Sequence, residues 1–328
     1  AGTQRIFASV QAAGRETGID LGAIQRAAAA IHGISRKTSQ GFGNHNFAVL
    51  NNCPPQTPLF PAAYHNGGPP AYALGLECAD LVFEAFSAAA HLDEAAMKLE
   101  QALLDTARTI QRVTADLAGE GGFHFAGIDF STTPYPKPGI STAAALEGLV
   151  VERFGASGTL LGAAAITGVL RRVAAHSEVS AVGFSGLLLP MMEDAVVAER
   201  AAEGGLSLEG LLLYSAVCGT GLDTIVLPGG VAVRELAAVL LDVATLAVVL
   251  DKPLTARLVP VPGGKAGDLT DFDYEYFANT RIMAVRGVGG RILNQLSGTI
   301  GSEMLGGIYS AAQSGRRAPQ PGANGGAG

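Results

Sequence analysis

The chain has 328 residues, of which 48% are hydrophobic and only 16% are charged, with a formal net charge of −7. This composition excludes a disordered chain, and the acidic balance excludes the basic surface of a nucleic-acid-binding protein. Three cysteines without a Cys-x-x-Cys pair exclude a disulfide framework, so we expect a cytoplasmic protein. The most apolar stretch, residues 236–250, contains Asp242 and is shorter than the roughly 20 residues of a membrane helix. We therefore expect no membrane role.

The first part of the chain predicts a strand, a helix and a long polar loop. Residues 4–10 alternate weakly, as a short strand does, and residues 19–31 have the apolar spacing of a helix. Residues 42–72 are rich in Asn, Pro and Gly, which predicts a loop interrupted by a short strand at residues 47–50. His45, Asn46 and His65 lie in this region. A histidine here serves as an acid, base or ligand, or is simply an exposed loop residue, and the sequence leaves both open.

A long helical stretch is predicted from about residue 74 to residue 117, with a break near His91. Glu77 and Asp80 are three residues apart on it and would share one face. Two carboxylates on one face can hold a hard cation such as Mg²⁺ or Ca²⁺, or can be ordinary solvated surface.

Strands and helices alternate in the rest of the chain. Strands are predicted at residues 123–130, 179–189, 224–228 and 256–261, and helices between them and before residue 250. The alternation predicts an α/β fold with a mainly parallel sheet or barrel covered by helices. We expect residues 1–313 to form one domain and the Gly/Pro/Ala-rich residues 314–328 to form a flexible tail.

Candidate functional side chains lie at the ends of three predicted strands, and α/β proteins place their sites at strand ends. Asp129, followed by Ser131, is a general base, a metal ligand or a loop-capping carboxylate, and the sequence does not choose among them. Ser185 lies between two glycines that allow backbone N–H groups to approach a ligand closely. Asp223 has the same ambiguity as Asp129. Cys218 is either an activated nucleophile or a small buried hydrophobe.

An ordered set of short motifs resembles one known family, although no single motif is diagnostic. The resemblance is to domain of unknown function 711, also called uncharacterised protein family 0210, and extends to about residue 290. The motifs are residues 41–44, 58–65, 75–80, 127–131, 183–186, 190–194, 218–223 and 264–268.

The resemblance implies a barrel like that of pyruvate formate-lyase, wrapped by helices, and a homodimer, but no known reaction. It also implies that residues 1–313 lack the family's leading strand and helix. The barrel kinship suggests glycyl-radical chemistry. We do not expect it, because residues 286–289 do not match the Arg-Val-x-Gly-Tyr-like loop that such enzymes need.

These patterns predict an enzyme that acts on a small polar metabolite by lyase, cyclase or hydrolase chemistry. It would use acid/base catalysis or a metal, since no redox-cofactor motif is visible. The alternative is a regulatory protein that binds a metabolite or ion in the same pocket without catalysis. The predicted catalytic residues are His65, Asp129, Cys218 and Asp223, and the predicted substrate-binding residues are His45, Asn46, Ser131, Ser185 and Lys265.

Overall fold

A computed structural model describes residues 6–64, 66–117, 122–137, 139–287, 289–294 and 296–306. Within these ranges the chain forms eight strands, nine α-helices and two 3₁₀ helices, at Ser39–Asn46 and Arg291–Asn294. The strands are β1 Ala8–Gly14, β2 Gly18–Asp20, β3 Phe47–Asn51, β4 Ala71–Gly75, β5 His124–Asp129, β6 Gly221–Pro228, β7 Leu254–Val261 and β8 Thr299–Ile300. The α-helices are α1 Leu21–Ser35, α2 Ala79–Ser87, α3 Leu92–Leu117, α4 Thr142–Leu146, α5 Thr159–Ala174, α6 Ala195–Ala202, α7 Leu208–Ser215, α8 Val233–Leu250 and α9 Ser302–Leu305.

The strands are arranged in one mixed sheet and one separate pair. The larger sheet has the order β6-β7-β3-β1-β2-β8, and β4 pairs only with β5. The β6–β7, β1–β3 and β4–β5 pairs are parallel, whereas the others are antiparallel. The predicted α/β class is confirmed, but the prediction of a mainly parallel sheet is wrong for the larger sheet, in which three of the five described strand pairs are antiparallel. A closed barrel is not found among the strands of the described residues, where the larger sheet is open.

The predicted start of the long helix, at about residue 74, is wrong. Residues Ala71–Gly75 form β4, which pairs in parallel with β5, and α2 begins only at Ala79. Local spacing cannot reveal a pairing with a strand that lies about fifty residues later. The break expected near His91 is confirmed, because α2 ends at Ser87 and α3 begins at Leu92.

The core of the larger sheet is built around its two most buried strands. Every residue of β7, and all of β6 except Pro228, is buried, as is typical of parallel strands covered on both faces. Helix α8 contacts β7, β3 and β1 and buries an apolar stripe that includes Leu236, Leu240 and Val243. None of the helices in the described ranges has the length and apolarity to cross a membrane.

An irregular segment, residues 180–192, lies between β5 and β6. Its start is bonded to β5, where the Ile128 N–H donates to Ser180 O at 2.8 Å and the Val182 N–H donates to Ile128 O at 3.0 Å. Near its end, the Met191 N–H donates to Asp223 O of β6 at 2.9 Å. The strand predicted at residues 179–189 is therefore an extended connector with a single bridge, between Ile128 and Ala181.

Candidate functional site

A bulge in β6 creates the most unusual local geometry of the larger sheet. Two residues of β6, Asp223 and Thr224, lie opposite one residue of β7, Arg257. Thr224 has φ of +50°, a region that β-branched residues seldom adopt. The bulge sets the Asp223 carboxylate against the Arg257 guanidinium, with Nε–Oδ1 at 2.5 Å and Nη2–Oδ2 at 2.9 Å. This bidentate pairing fixes the orientation of the guanidinium plane.

Glu193 is brought to the same guanidinium by the connector. The backbone N–H groups of Met191 and Met192 donate to the two bulge residues, at 2.9 and 3.1 Å. The next residue, Glu193, then reaches Arg257 Nη2, with Oε1 at 2.9 Å and Oε2 at 3.0 Å. Its side chain is 18% exposed, against 5% for Arg257 and 4% for Asp223. Glu193 is therefore the least buried of these three side chains.

His45 completes the group from the 3₁₀ helix Ser39–Asn46. Its Nδ1 lies 3.2 Å from Arg257 Nη1 and 3.9 Å from Glu193 Oε1. A guanidinium can only donate, so we assign Nδ1 as the acceptor and place the imidazole hydrogen on Nε2. We name His45, Glu193, Asp223 and Arg257 together the arginine cluster.

The docking of that 3₁₀ helix depends on a glycine. Gly41 has φ of +71°, and a Cβ at this position would collide with the carbonyl oxygen of Pro260 on β7. Glycine adopts a positive φ without a steric penalty, and it has no Cβ to collide with the strand. The 3₁₀ helix can therefore lie directly on β7. This close approach places His45 four residues later beside Arg257.

The arginine cluster shifts the proton affinities of its own members. Burial, and then the charge of Arg257, lower the pKa of His45 to about 3, so the imidazole is neutral near neutral pH. Burial raises the pKa of Glu193 to about 7, against the opposing effect of Arg257 and with a further increase from Asp223. Burial also lowers the pKa of Arg257, but the two carboxylates outweigh it and the net direction is upward.

Aromatic rings surround the buried side of the arginine cluster. Such rings exclude water, which strengthens the electrostatic interactions that they enclose. Phe60 stacks over the guanidinium, 5.6 Å from Arg257 Cζ. The rings of Phe42, Tyr274 and Phe277 lie 5.6, 5.5 and 4.9 Å from the His45 ring.

Asp129 is buried in a second, separate network. Its Oδ1 accepts hydrogen bonds from Ser131 N at 2.9 Å, Ser131 Oγ at 2.6 Å and Ser185 N at 3.0 Å, and Oδ2 accepts one from Phe184 N at 2.9 Å. Gly183 has φ of +68°, and a Cβ there would overlap Asp129 Oδ2. This geometry fits a loop-capping carboxylate. Within the described residues no hydrogen bond or ion pair joins this network to the arginine cluster, and catalytic roles for Asp129, Ser131 and Ser185 stay predictions.

Cys218 is buried next to a buried lysine. Lys252 Nζ donates to the carbonyl oxygens of Ser215 at 3.0 Å, Ala216 at 3.2 Å and Cys218. The lysine therefore caps the C-terminal end of α7. The Cys218 side chain is 1% exposed. A nucleophilic role for this thiol stays a prediction.

The predicted metal pair does not share a helical face. Glu77 precedes α2 and bridges to Thr132, whereas Asp80 lies in the first turn of that helix, and both are exposed. That interpretation was wrong because the helix begins later than expected. In the part of the chain that the structure describes, no group of three or more His, Cys, Asp or Glu side chains is placed to hold a metal ion. Binding of Mg²⁺ or Ca²⁺ stays a prediction.

The remaining predicted residues lie apart from the arginine cluster or outside the structure. Lys265 is exposed, and its N–H donates to Asp268 Oδ2 at 2.8 Å. Asn46 is half-buried at the end of the first 3₁₀ helix. His65 and the predicted tail, residues 314–328, lie outside the described residues.

Two of the four members of the arginine cluster were missed as candidates in the sequence. Arg257 is the one charged residue in the strand Leu254–Val261. A charge in an otherwise apolar buried strand needs a partner, so it signals a buried ion pair. Glu193 had no such signal, because it lies just after the irregular connector and is brought in by long-range hydrogen bonds.

Comparison with known proteins shows which family the chain resembles in sequence. The sequence profile described as Uncharacterised ACR (DUF711) matches residues 1–279. A UPF0210 protein of Pyrobaculum aerophilum is similar, with 38% identity over 276 residues, covering 82% of this chain and 60% of the relative. Another, of Pyrobaculum arsenaticum, is 36% identical over 275 residues with the same two coverages. One of Methanopyrus kandleri is 31% identical over 271 residues, covering 81% and 60%. The chain thus spans about 60% of the length of these relatives.

Proposed function

The chain belongs to the DUF711 family, and from that premise we propose that it carries the acid/base site of an enzyme that acts on a small polar metabolite. The observation that supports this proposal is the convergence of His45, Glu193, Asp223 and Arg257 from four separate segments on one site, of which Glu193 is the least buried member. Burying charges costs free energy that an apolar core would not. Such an arrangement is therefore more typical of a functional site than of packing.

Each member of the arginine cluster has a distinct role in this proposal. Glu193, with a pKa raised to about 7 by burial, has both protonation states available near neutral pH and transfers the proton. His45 offers a neutral Nε2–H donor to the ligand. Asp223 holds Arg257, and Arg257 in turn orients the imidazole and the Glu193 carboxylate. Lyase, cyclase or hydrolase chemistry is compatible with these roles.

A metabolite screen tests this proposal. Binding of small polar metabolites and of Mg²⁺ and Ca²⁺ is first measured as a shift in thermal unfolding, and every binder is then assayed for conversion by NMR. We expect a converted ligand, and we expect Glu193→Gln to slow its conversion by roughly 10²–10⁴-fold while still binding it. Binding without any conversion would favour the non-catalytic regulatory protein instead.

A matched control is available in a second ion pair. Glu147 pairs with Arg200 at 2.7 Å, and its side chain is 18% exposed, the same as that of Glu193. Glu147→Gln removes a comparable half-buried carboxylate away from the arginine cluster. We expect it to leave the conversion rate within about threefold of the wild type.

We also propose that the two sheets are parts of one barrel wall like that of pyruvate formate-lyase. The connector, residues 180–192, supports this because it is hydrogen-bonded to β5 at one end and to β6 at the other. Since the relatives are longer than this chain, an experimental structure of a full-length relative is the test. Homodimer formation, which the family resemblance implies, is tested by sedimentation. A cytoplasmic location is supported by three free, buried cysteines.

A further inference from the structure

We propose that the arginine cluster removes a proton from a carbon atom next to a carbonyl group, and that its ligand is a small carbonyl compound. This inference rests on the proposed function and deepens it by naming the substrate class. Such a reaction needs two groups placed together: a base at the C–H bond, and a hydrogen-bond donor at the carbonyl oxygen, where negative charge develops.

Glu193 and His45 provide these two groups side by side. Glu193 Oε1 lies 3.9 Å from His45 Nδ1, so the carboxylate and the imidazole are neighbours at the same guanidinium. Glu193 is the least buried member of the arginine cluster, and it is therefore the member that a ligand from solvent would meet first. The rings of Phe277 and Tyr274 pack edge-on against the imidazole and hold its plane.

The donor is a neutral imidazole because of its burial and its contact with Arg257. The guanidinium donates to Nδ1 at 3.2 Å, which prevents protonation at that nitrogen and keeps the hydrogen on Nε2. A carboxylate base paired with a neutral imidazole, rather than an imidazolium, is the pattern that enolising isomerases use. Arg257 also places a positive charge behind the ring, and this charge polarises the Nε2–H bond towards the ligand oxygen.

The proposed step balances within the protein and the ligand. The C–H bond breaks as the Glu193 carboxylate takes the proton, and the electron pair forms a C=C bond while the carbonyl oxygen becomes an enolate. The enolate oxygen accepts the hydrogen bond from His45 Nε2. Glu193 then returns the proton, or one exchanged with solvent, to carbon. No oxidant or reductant is required.

The surrounding side chains favour this step over acyl transfer. In the described residues, no serine, threonine, cysteine or lysine side chain is hydrogen-bonded to Glu193 or His45, so neither activates a nucleophile. The charged or titratable groups that face Glu193 are Asp223 from β6, Arg257 from β7, His45 from the 3₁₀ helix and Tyr274 from the loop after β7. Only the ionised carboxylate accepts a proton, so the rate is expected to rise as pH increases through about 7.

Exchange of C–H hydrogen for deuterium tests the inference without knowledge of the complete reaction. The chain is incubated in D₂O with pyruvate, 2-oxobutanoate, hydroxyacetone or dihydroxyacetone, and loss of the proton signal next to the carbonyl group is followed by NMR. We expect exchange of at least one compound above the buffer rate. We expect Glu193→Gln to reduce it by roughly 10²–10⁴-fold and His45→Gln by roughly 10²–10³-fold.

Two further variants keep the result interpretable. Glu147→Gln should leave the exchange within about threefold of the wild type, which controls for the loss of a half-buried carboxylate. Glu193→Asp keeps the base but moves it back by one methylene, so we expect an exchange rate between those of the wild type and Glu193→Gln. This variant still tests the inference if His45→Gln does not fold.

The inference and the proposed function fail in different ways. Exchange of none of the four compounds above the buffer rate, or exchange that Glu193→Gln leaves unchanged, overturns the inference. A metabolite that is converted in D₂O without deuterium entering carbon also overturns it, but leaves the proposed function intact. If Glu193→Gln converts such a metabolite at the wild-type rate, both are wrong.

Discussion

At the scale of single residues, two buried carboxylates have contrasting surroundings. All four hydrogen bonds to Asp129 come from Ser131, Phe184 and Ser185, which leaves it fully engaged in holding a loop. Glu193 contacts Arg257, and its side chain is only partly buried. Both have a pKa raised by burial, so proton affinity alone does not distinguish the structural group from the proposed catalytic one.

Replacing Asp129 by Asn should therefore affect stability rather than activity. The amide has one acceptor oxygen instead of two, so at least one buried N–H group loses its partner. We expect the free energy of unfolding to fall by about 1–3 kcal/mol, measured by urea denaturation, with deuterium exchange within a few-fold of the wild type. The exposed Asp80→Asn is the control and should change neither. Loss of exchange without loss of stability would instead support the catalytic role predicted for Asp129.

Glu193 should make stability depend on pH in a recognisable direction. In the unfolded chain its carboxyl has the ordinary pKa of 4.5, whereas burial raises the folded pKa to about 7. Between these values the folded state binds the proton more tightly, so the free energy of unfolding falls as pH rises through this window. Glu193→Gln lacks this titration and should gain stability relative to the wild type from pH 4.5 to pH 7, measured by urea denaturation. A difference that does not change with pH would contradict the raised pKa.

At the scale of elements, strands and helices with strong local patterns were predictable, and the site was not. Strands β3 and β7 were predicted to within two residues of their observed bounds, because each has a continuous apolar run. The start of β6 was predicted three residues late, at Thr224 instead of Gly221. Strand β4 was taken for helix, since its identity depends on pairing with β5. Asp223 and His45 were predicted as candidates, but their joint contact with Arg257 depends on a bulge that no local pattern specifies.

The bulge itself is tested by removing one hydroxyl. The Thr224 Oγ1 accepts the N–H of Met192 at 3.1 Å, and this bond positions Glu193. Thr224→Val keeps the shape but leaves that N–H without its partner, so we expect a loss of about 1–3 kcal/mol and slower deuterium exchange. Thr220→Val is the matched control, because the buried Thr220 hydroxyl has no hydrogen-bond partner among the residues that the structure describes. Its removal should cost less than about 0.5 kcal/mol; equal losses for the two variants would contradict the role of the Met192 bond.

At the scale of the whole molecule, the two sheets share one core. A single apolar cluster includes Ile128 and Phe130 beside the strand pair as well as Val49 and Leu258 of the larger sheet. Because the two sheets share this apolar cluster, we expect them to unfold as one unit.

The absence of tryptophan from the chain makes this unity easy to measure. Phe47→Trp places a fluorescent reporter on β3, and Phe125→Trp places one on β5, both at half-buried positions. We expect the two reporters to give the same urea midpoint and slope after correction for each variant's own stability by circular dichroism. If the corrected urea midpoints of the Phe47→Trp and Phe125→Trp variants differed, the strand pair would be an independent unit.

The bulge in β6 also determines what deletion of a single residue from this strand would do. Because Asp223 and Thr224 together face one residue of β7, deletion of Thr224 would leave one residue opposite one residue, as in a regular ladder. The pairing of Ile225 with Leu258, and of every residue after it, would be retained. A deletion in the middle of a buried strand would thus spare the downstream register, whereas the contact that positions Glu193 would be lost. Strand β6 contains one residue more than its fold requires.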